Sequence, residues 1–277
     1  MAARINFMRV SVLLLACWTC TAWAQEDASE LAREAQNPVA DLISLPFQWN
    51  INFETGPLEK TQHILNIQPV LPFKLNKDWN LITRTILPVV SQPPFLPNQD
   101  REFGIGDVQF SLFFSPVKPT AGGWIWGAGL IAQLDTATDD QLGQGKWGLG
   151  PTAVALTMRG QWVIGALINH VWDVAGDDDR PDVNRTLIQP FVNYNFPKIP
   201  GRYLTFSPII TADWEADDSG DRWTIPLGLG IGQVMRWGKQ PVNLQVAYYY
   251  NVEKPDFGPN QQLRLQLQLL FPKGKGQ

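Results

Sequence analysis

The chain has 277 residues, with 22 Lys and Arg against 26 Asp and Glu, which gives a formal charge of −4. An acidic balance argues against nucleic acid as a partner, because nucleic-acid-binding surfaces are basic. Both Cys residues lie within the first twenty positions, so the remainder has no thiols for a disulfide framework or a thiolate metal site. No later stretch approaches the roughly 18 apolar residues of a transmembrane helix.

The N-terminus has the three parts of a secretory signal. Two arginines precede an apolar run at residues 10–16, and Ala22-Trp23-Ala24 forms a small-x-small cleavage site. We predict that residues 1–24 are a signal peptide and that the mature chain begins at Gln25, with a formal charge of −6 after the loss of the two arginines. The alternative is a lipoprotein signal acylated at Cys17, which the preceding leucines fit less well.

Residues 25–46 are predicted to precede the sheet. Asn37 followed by Pro38 resembles a helix N-cap with proline at the first helical position, which predicts a short helix that extends to Leu45. We interpret the region as a periplasmic segment that positions the first strand. A partial plug that enters the lumen is the alternative.

From residue 47 onward, apolar and polar side chains alternate. Residues 47–54 and 262–269 alternate without interruption, which places one set of side chains on each face of a strand. We predict twelve strands, at residues 47–56, 63–73, 79–88, 103–114, 124–134, 146–157, 162–172, 186–196, 203–214, 223–234, 242–251 and 262–271.

The length and number of these strands predict the fold class. About ten tilted residues are enough to cross a bilayer, even strand numbers are the rule for single-chain bacterial barrels, and soluble strands are usually shorter. We therefore predict an all-β protein, a transmembrane antiparallel up-and-down β-barrel of about twelve strands. The barrel comprises residues 47–271 and is followed by a periplasmic tail, residues 272–277. A soluble secreted β protein is the alternative.

The charges of the predicted connections sort by side. With a periplasmic N-terminus, the inner connections and the tail contain ten basic residues and one acid, Asp78, whereas acidic residues cluster in the opposite connections at residues 135–140, 173–182 and 215–221. The acidic connections are generally longer, as expected outside the cell. Tryptophans at both predicted ends indicate two aromatic girdles at the membrane interfaces. These tryptophans are Trp79, Trp124, Trp162 and Trp237 at the periplasmic ends, and Trp147, Trp172, Trp214 and Trp223 at the extracellular ends.

Prolines inside the predicted strands require local irregularity. Proline cannot donate to a β ladder, and a closed barrel has no free edge. We expect bulges or breaks at these positions. They are Pro69, Pro151, Pro190, Pro208 and Pro226.

If the apolar set faces lipid, the alternate side chains line the lumen. That lining is mostly neutral amide and hydroxyl, without the charged rings that select ions. A closed lumen filled by the same side chains is the alternative. The predicted lumen residues are Gln48, Asn50, Asn52, Glu54, Arg84, Asp107, Gln109, Gln189, Asn193, Asn195, Thr205, Asp213, Asn243, Gln245, Arg264, Gln266 and Gln268.

The inward charges are predicted to pair. Glu54 and Arg264 would lie at the same level of the first and last strands, so we expect an ion pair that closes the seam. Arg84 and Asp107, on neighbouring strands, are expected to pair likewise. We interpret both pairs as structural clamps.

The sequence contains no pattern that favours catalysis or a cofactor. Outer-membrane phospholipases use a His/Ser constellation, but neither His63 nor His170 has a serine nearby in a recognisable motif. The acidic clusters at residues 177–182 and 217–221 could hold Ca²⁺ or Mg²⁺, although their spacing matches no defined calcium loop. We interpret them as solvated loops.

Several motifs resemble a family of outer-membrane transporters linked by name to the meta-cleavage pathway of phenol degradation. The similarity covers residues 37–271. It implies a β-barrel and passage of small molecules, aromatic or hydrophobic ones among them, and it transfers no catalytic or binding residue. The motifs are Asn37-Pro38-Val39-Ala40-Asp41-Leu42-Ile43-Ser44-Leu45-Pro46-Phe47, Gln68-Pro69-Val70-Leu71-Pro72-Phe73, Asp78-Trp79-Asn80-Leu81-Ile82 with Arg84, Gly104-Ile105-Gly106-Asp107 and Gln189-Pro190-Phe191-Val192-Asn193-Tyr194-Asn195.

The sequence therefore predicts a channel or transporter in the outer membrane of a Gram-negative bacterium. The expected partners are outer-membrane lipid, lipopolysaccharide, the barrel-assembly machinery and an unidentified small solute. A structural or adhesive barrel with a filled lumen is the first alternative, and an outer-membrane hydrolase is the second.

Overall fold

The computed structural model describes residues 28–272, so the predicted signal peptide and nearly all of the predicted tail lie outside the described residues. Fifteen β segments form twelve barrel strands, three of which are interrupted. The strands are β1 Ile43–Thr55, β2 Lys60–Ile67 and Val70–Lys74, β3 Trp79–Gln92, β4 Glu102–Ile105 and Val108–Pro116, β5 Trp124–Leu134, β6 Lys146–Arg159, β7 Trp162–Gly176, β8 Asn184–Asn195, β9 Arg202–Phe206 and Ile210–Asp213, β10 Trp223–Trp237, β11 Gln240–Glu253 and β12 Gln261–Phe271.

Every strand pairs antiparallel with its sequence neighbours, and the last strand pairs with the first. At the seam, Ile43 lies opposite Phe271 and Phe53 lies opposite Gln261. This closure leaves no free sheet edge, which a lipid environment demands, because an unpaired backbone group in hydrocarbon costs several kcal/mol. The predicted twelve-stranded up-and-down barrel is confirmed. It begins at Ile43, four residues earlier than predicted.

The two faces of the wall differ as the alternation requires. On β1, Gln48, Asn50 and Asn52 are buried inside, whereas Trp49 between them is 41% exposed on the outer face. The outer wall carries exposed apolar side chains along most strands, which a bilayer would cover. Tryptophans stand outward at both rims. Trp79 meets Trp126 edge to face at one end, and Trp214 meets Trp223 in the same geometry at the other, with centroid distances of 5.8 and 5.9 Å.

The prolines within the wall behave in two ways. Pro69 and Pro208 lie in the gaps that interrupt β2 and β9, and Pro226 lies at a register shift between β10 and β11. These three are the expected breaks and bulges. Pro151 and Pro190 are each paired on one side, opposite Leu130 and Ala166. On the other side, the ladder between β6 and β7 omits residues 150 and 151, and Pro190 lies beside the gap in β9. Both prolines therefore also lie at local breaks of the ladder.

The segment before the barrel differs most from the prediction. Residues 28–35 form a helix, and no helix forms between Asn37 and Leu45. Asn37 instead closes a turn, because its side-chain Oδ1 accepts the backbone N–H of Val39 at 3.0 Å. Short polar side chains favour such turns as readily as helix caps, which explains the misplaced helix. No helix within residues 28–272 is long and apolar enough to cross a membrane.

Residues 28–42, which we call the N-terminal segment, pack against the inner face of the wall. Leu31, Ala32, Ala40 and Leu42 form a buried cluster with Val234 of β10 and Leu270 of β12. Val39 belongs to a second cluster of inward-facing side chains. The cluster contains Ile82, Phe113, Val154, Leu156, Val163, Leu167 and Phe191. The expected lead-in that only positions the first strand is therefore wrong: the segment occupies the lumen.

A glycine on β10 makes room for the largest buried side chain near this segment. The ring of Tyr203 lies over Gly232, where an added Cβ would overlap it. The Tyr203 hydroxyl donates to Asn243 Oδ1 at 3.0 Å, and Asn243 Nδ2 donates to Gln268 Oε1 at 3.1 Å. The glycine thus permits a hydrogen-bonded layer that joins β9, β11 and β12.

Gly232→Ala should destabilise the barrel, because the new methyl group displaces Tyr203 from this layer. We expect a loss of about 1–3 kcal/mol in the free energy of unfolding, measured by urea titration of the detergent-solubilised barrel. The matched control is Gly122→Ala, where an added Cβ makes only ordinary contacts. Equal stability of the two variants would contradict the steric argument.

Candidate functional site

The lumen contains two cavities in line. The first, of about 160 Å³, lies between the N-terminal segment and the wall. The second, of about 300 Å³, lies beyond it towards the end that the sequence predicts to be extracellular. Four side chains line both cavities and form the boundary between them: Gln48, Gln68, Arg84 and Gln189.

The first cavity has the polar lining that the sequence predicts. Amide and hydroxyl side chains face it from strands on both sides of the seam. The predicted lumen residues on its wall are Gln48, Arg84, Gln189, Asn193, Thr205, Asn243, Gln245, Arg264, Gln266 and Gln268. Gln36 and Asn195 join the N-terminal segment to β8 by two amide hydrogen bonds, of 2.9 and 3.2 Å.

The second cavity has a mixed lining, and the sequence did not predict its apolar side chains. Its predicted wall residues are Gln48, Arg84, Asp107, Gln109 and Gln189. The apolar side chains that were not predicted are Ile64, Ile86, Pro88, Phe113, Ile131, Leu167, Leu187 and Ile209. Further polar side chains on the wall are Asn66, Gln68, Ser111, Thr152 and Asn169. The sequence contains a sign of these inward apolar side chains. Residues 162–168 are apolar on both faces of the strand, as strands buried on both sides are. The prediction missed it because every apolar residue was assigned to the lipid-facing side.

The remaining predicted lumen residues lie away from the cavities. Asn50 and Asn52 are buried in the inner wall. Glu54 and Asp213 lie near the extracellular rim, where Glu54 accepts from Asn260 and Asp213 forms an ion pair with Arg185 at 2.9 Å.

The predicted ion pair between Glu54 and Arg264 is wrong. Arg264 lies directly opposite Asn50 on β1, three to four residues deeper in the barrel than Glu54. Its guanidinium donates to Asn50 Oδ1 at 3.3 Å, to the Ser207 carbonyl at 3.1 Å and to Gln262 Oε1 at 3.1 Å. It also stacks over the Tyr249 ring at 4.8 Å. Arg264 closes the seam as expected, through neutral acceptors on three strands.

Arg264→Gln should lower the stability of the barrel. A glutamine reaches fewer of these acceptors and leaves the Ser207 carbonyl with fewer donors, at a cost of about 2–4 kcal/mol. We expect a lower temperature for the heat-induced mobility shift on a gel. Arg159→Gln is the control, because its exposed guanidinium has one carbonyl partner, Gly122. An unchanged transition in Arg264→Gln would show that these contacts do not hold the seam.

The predicted pair between Arg84 and Asp107 is also wrong. Asp107 lies in the interruption of β4, and its carboxylate accepts three backbone N–H groups from the loop at residues 135–145. The donors are Thr136 at 3.3 Å, Ala137 at 3.2 Å and Gln144 at 2.7 Å. The carboxylate therefore fixes an extracellular loop beside the second cavity.

An arginine, Arg180, holds the other side of this loop. Arg180 donates to the backbone carbonyls of Asp140, Gly143 and Gln144 at 2.9, 2.6 and 3.3 Å. Below it, the buried Lys146 pairs with Asp182 at 3.3 Å. Two neighbouring extracellular loops are thus joined over the end of the lumen near β6.

Asp107→Asn should loosen the 135–145 loop, because an amide turns an NH₂ group towards at least one backbone donor. The loss of about 1–3 kcal/mol per unsatisfied group predicts cleavage by thermolysin before Leu142, a buried residue, at least about tenfold faster. Asp140→Asn, which changes an exposed carboxylate of the same loop, should be cleaved at the original rate. Equal rates for both variants would mean that Asp107 does not anchor the loop.

The two histidines lie on the outer wall. The ring of His63 is 5.7 Å from that of Trp49, and the ring of His170 is 4.1 Å from that of Trp172. His170 Nδ1 is 2.7 Å from Thr186 Oγ1, which accepts the Trp214 indole N–H at 2.8 Å. Both histidines therefore contact tryptophan rings of the outer wall. Among residues 28–272, no group of three or more His, Cys, Asp or Glu is arranged to hold a metal ion.

The closed cylinder, its apolar outer band and its two aromatic girdles define a β-barrel of the outer-membrane class. Among solved structures, the COG4313 outer membrane channel from Pseudomonas putida F1 is similar at a TM-score of 0.60 and 16% identity, over 83% of this chain and 94% of that chain. Outer membrane phospholipase A from Escherichia coli is similar at a TM-score of 0.46 and 13% identity, over 89% and 98%. OccK9 of Pseudomonas aeruginosa is similar at 0.36 and 12%, over 83% and 98%.

No protein-family model matches the chain, and no curated protein matches it in sequence. The similarity to the COG4313 channel confirms the barrel fold. The predicted resemblance to the phenol meta-pathway family stays a prediction.

Proposed function

We propose that this protein is an outer-membrane channel for small molecules, with the lumen as its path. The observation that carries the proposal is the pair of cavities that share a boundary of four side chains. A barrel that served only as a rigid scaffold would gain stability by filling this space, because each unfilled volume forfeits packing contacts. The similar barrel from Pseudomonas putida is itself described as a channel.

The proposed substrates are small molecules with a substantial apolar part, aromatic ones included. The second cavity combines apolar side chains such as Ile86 and Ile131 with amides such as Gln48 and Gln189 that can hold a polar group. Binding pockets commonly join apolar surface to polar groups that fix the orientation of a ligand. The apolar part of the wall offers a strongly hydrated sugar no replacement for its lost water, which favours solutes with an apolar part.

The N-terminal segment is proposed to control access from the periplasmic side. It contacts the wall through its small apolar cluster and through the Gln36–Asn195 amide pair. A small cluster and one amide pair are easier to open than a strand ladder, so the segment is the part of the lumen most able to move. Lipopolysaccharide is a proposed partner of the outer wall. The barrel-assembly machinery is a proposed partner of the barrel while it folds.

The second candidate function is a structural or adhesive barrel. The inward cluster around Val39 and Phe113 favours it, because these side chains fill one side of the lumen with tightly buried apolar groups. Solute flux separates the two functions. Liposomes that contain the barrel should admit phenolics faster than sugars or nucleosides, and absence of flux for every solute would favour the structural barrel.

A disulfide between the segment and the wall tests the proposed gate. Residues 28–272 contain no Cys, so Gln36→Cys with Asn195→Cys creates a unique pair there, at two side chains that already touch. Oxidation should reduce phenolic flux several-fold, and reduction should restore it. The single variant Gln36→Cys is the control and should not respond to oxidant. If the oxidised double variant conducts as well as the reduced one, the segment is not the gate.

A further inference from the structure

Arg84 lies at the boundary between the two cavities and has few partners. Its Nη2 donates to Gln68 Oε1 at 2.6 Å, and this is its only hydrogen bond within the described chain. A guanidinium has five N–H donors. The other guanidinium nitrogens of Arg84 are not sealed inside the wall. Because Arg84 lines both cavities, these nitrogens face the cavities.

No carboxylate of residues 28–272 lies within 4.0 Å of the charge on Arg84. The neighbouring strand offers Asp107, but the carboxylate of Asp107 already accepts three backbone N–H groups. A charge placed inside a protein is costly unless it is paired or hydrogen-bonded. Arg84 therefore has unused capacity for an anion.

The second inward arginine of the lumen shows what a purely structural one looks like. Arg264 is 3% exposed and bonds to acceptors on three strands. Arg84 is only partly buried and bonds to one amide. The difference is that Arg264 holds the wall together, whereas the remaining donors of Arg84 face the two cavities.

The space next to Arg84 is suited to an apolar body. Ile64, Ile86, Ile131, Leu167 and Leu187 project into the second cavity from strands on several sides. Its volume of about 300 Å³ is at the small end of the range for ligand pockets. A molecule there would contact these apolar side chains along its body, between amides of the same wall, and would meet one cationic fork at its end.

We propose that the lumen binds a small monocarboxylate with an apolar body, with its carboxylate on the Arg84 guanidinium and its body in the second cavity. The planar fork of arginine matches a carboxylate through two parallel N–H···O bonds. One guanidinium balances one negative charge, which favours a monocarboxylate over a phosphate with its higher charge. This inference rests on the proposed function, because it names the substrate class of the same lumen.

Equilibrium binding tests the inference without any need for transport. The barrel is reconstituted in zwitterionic nanodiscs and titrated by calorimetry with octanoate, octanamide and octylamine, which share one chain and carry a negative, neutral or positive head. Acetate serves as the probe without an apolar body. We expect octanoate to bind at least about tenfold more tightly than octanamide, since hydrogen bonds to charged groups are the stronger ones. Octylamine and acetate should bind more weakly still.

Arg84→Gln should abolish the preference of octanoate over octanamide, and Arg84→Lys should retain part of it, because a lysine keeps the charge without the fork. Arg101→Gln, which removes an exposed arginine outside the lumen, should bind as the wild type does. Both Arg84 variants must show the wild-type heat-induced mobility shift. If only Arg84→Gln misfolds, the Arg84→Lys titration decides.

Equal affinity of the wild type for octanoate and octanamide, or an unchanged preference in the Arg84 variants, would overturn the inference. Flux of phenolics without any preference for carboxylates would leave the channel proposal standing and remove only this inference. Tight octanoate binding without flux of any solute would leave this inference standing and remove the channel proposal.

Discussion

The requirement that every backbone polar group in hydrocarbon find a partner governs this structure. The ladder satisfies it almost everywhere by closing β12 onto β1. The three interrupted strands show how the remaining groups are satisfied. At the gap in β9, the Ser207 carbonyl accepts from Arg264 and Tyr249. At the gap in β4, Thr136 of an extracellular loop supplies Oγ1 to the Val108 N–H. Lumen side chains and loops thus complete the wall itself, and their positions follow from the breaks.

This dependence explains why the lumen holds polar networks and cavities together. A gap in a strand bends the wall and requires donors from inside, so amides and an arginine must be present where an apolar filling would pack more densely. Once those groups are present, the space between them and the N-terminal segment cannot be filled by aliphatic side chains alone. The cavities are therefore a consequence of the way the wall is closed, and the proposed channel uses space that the architecture leaves open.

Sequence reasoning succeeded where the information was local. The period of two located all twelve strands, because each residue reports its own face. The assignment of the two ends from loop charges stays a prediction. Sequence reasoning failed for contacts across the lumen. Arg264 on β12 meets Ser207 on β9, three strands away, and this contact is set by the curvature of the barrel and by the gap at Pro208. The same limit applies to Asp107, whose partners lie in a loop about thirty residues later, and to Asn37, whose turn is fixed by the packing of Val39.

The contrast between the two inward arginines follows from the same geometry. A charge that faces the lumen must find its compensation in the wall, in water or in a ligand. For Arg264 the wall supplies it, because the seam and the β9 gap bring acceptors to one point. For Arg84 the nearest gap, at residues 68–69, contributes only the Gln68 side chain, since the backbone groups of that gap bond to β1 and β3 instead. The backbone groups at the β2 gap are thus already bonded to the neighbouring strands. Because they are not available to Arg84, its remaining donors face the boundary of the two cavities.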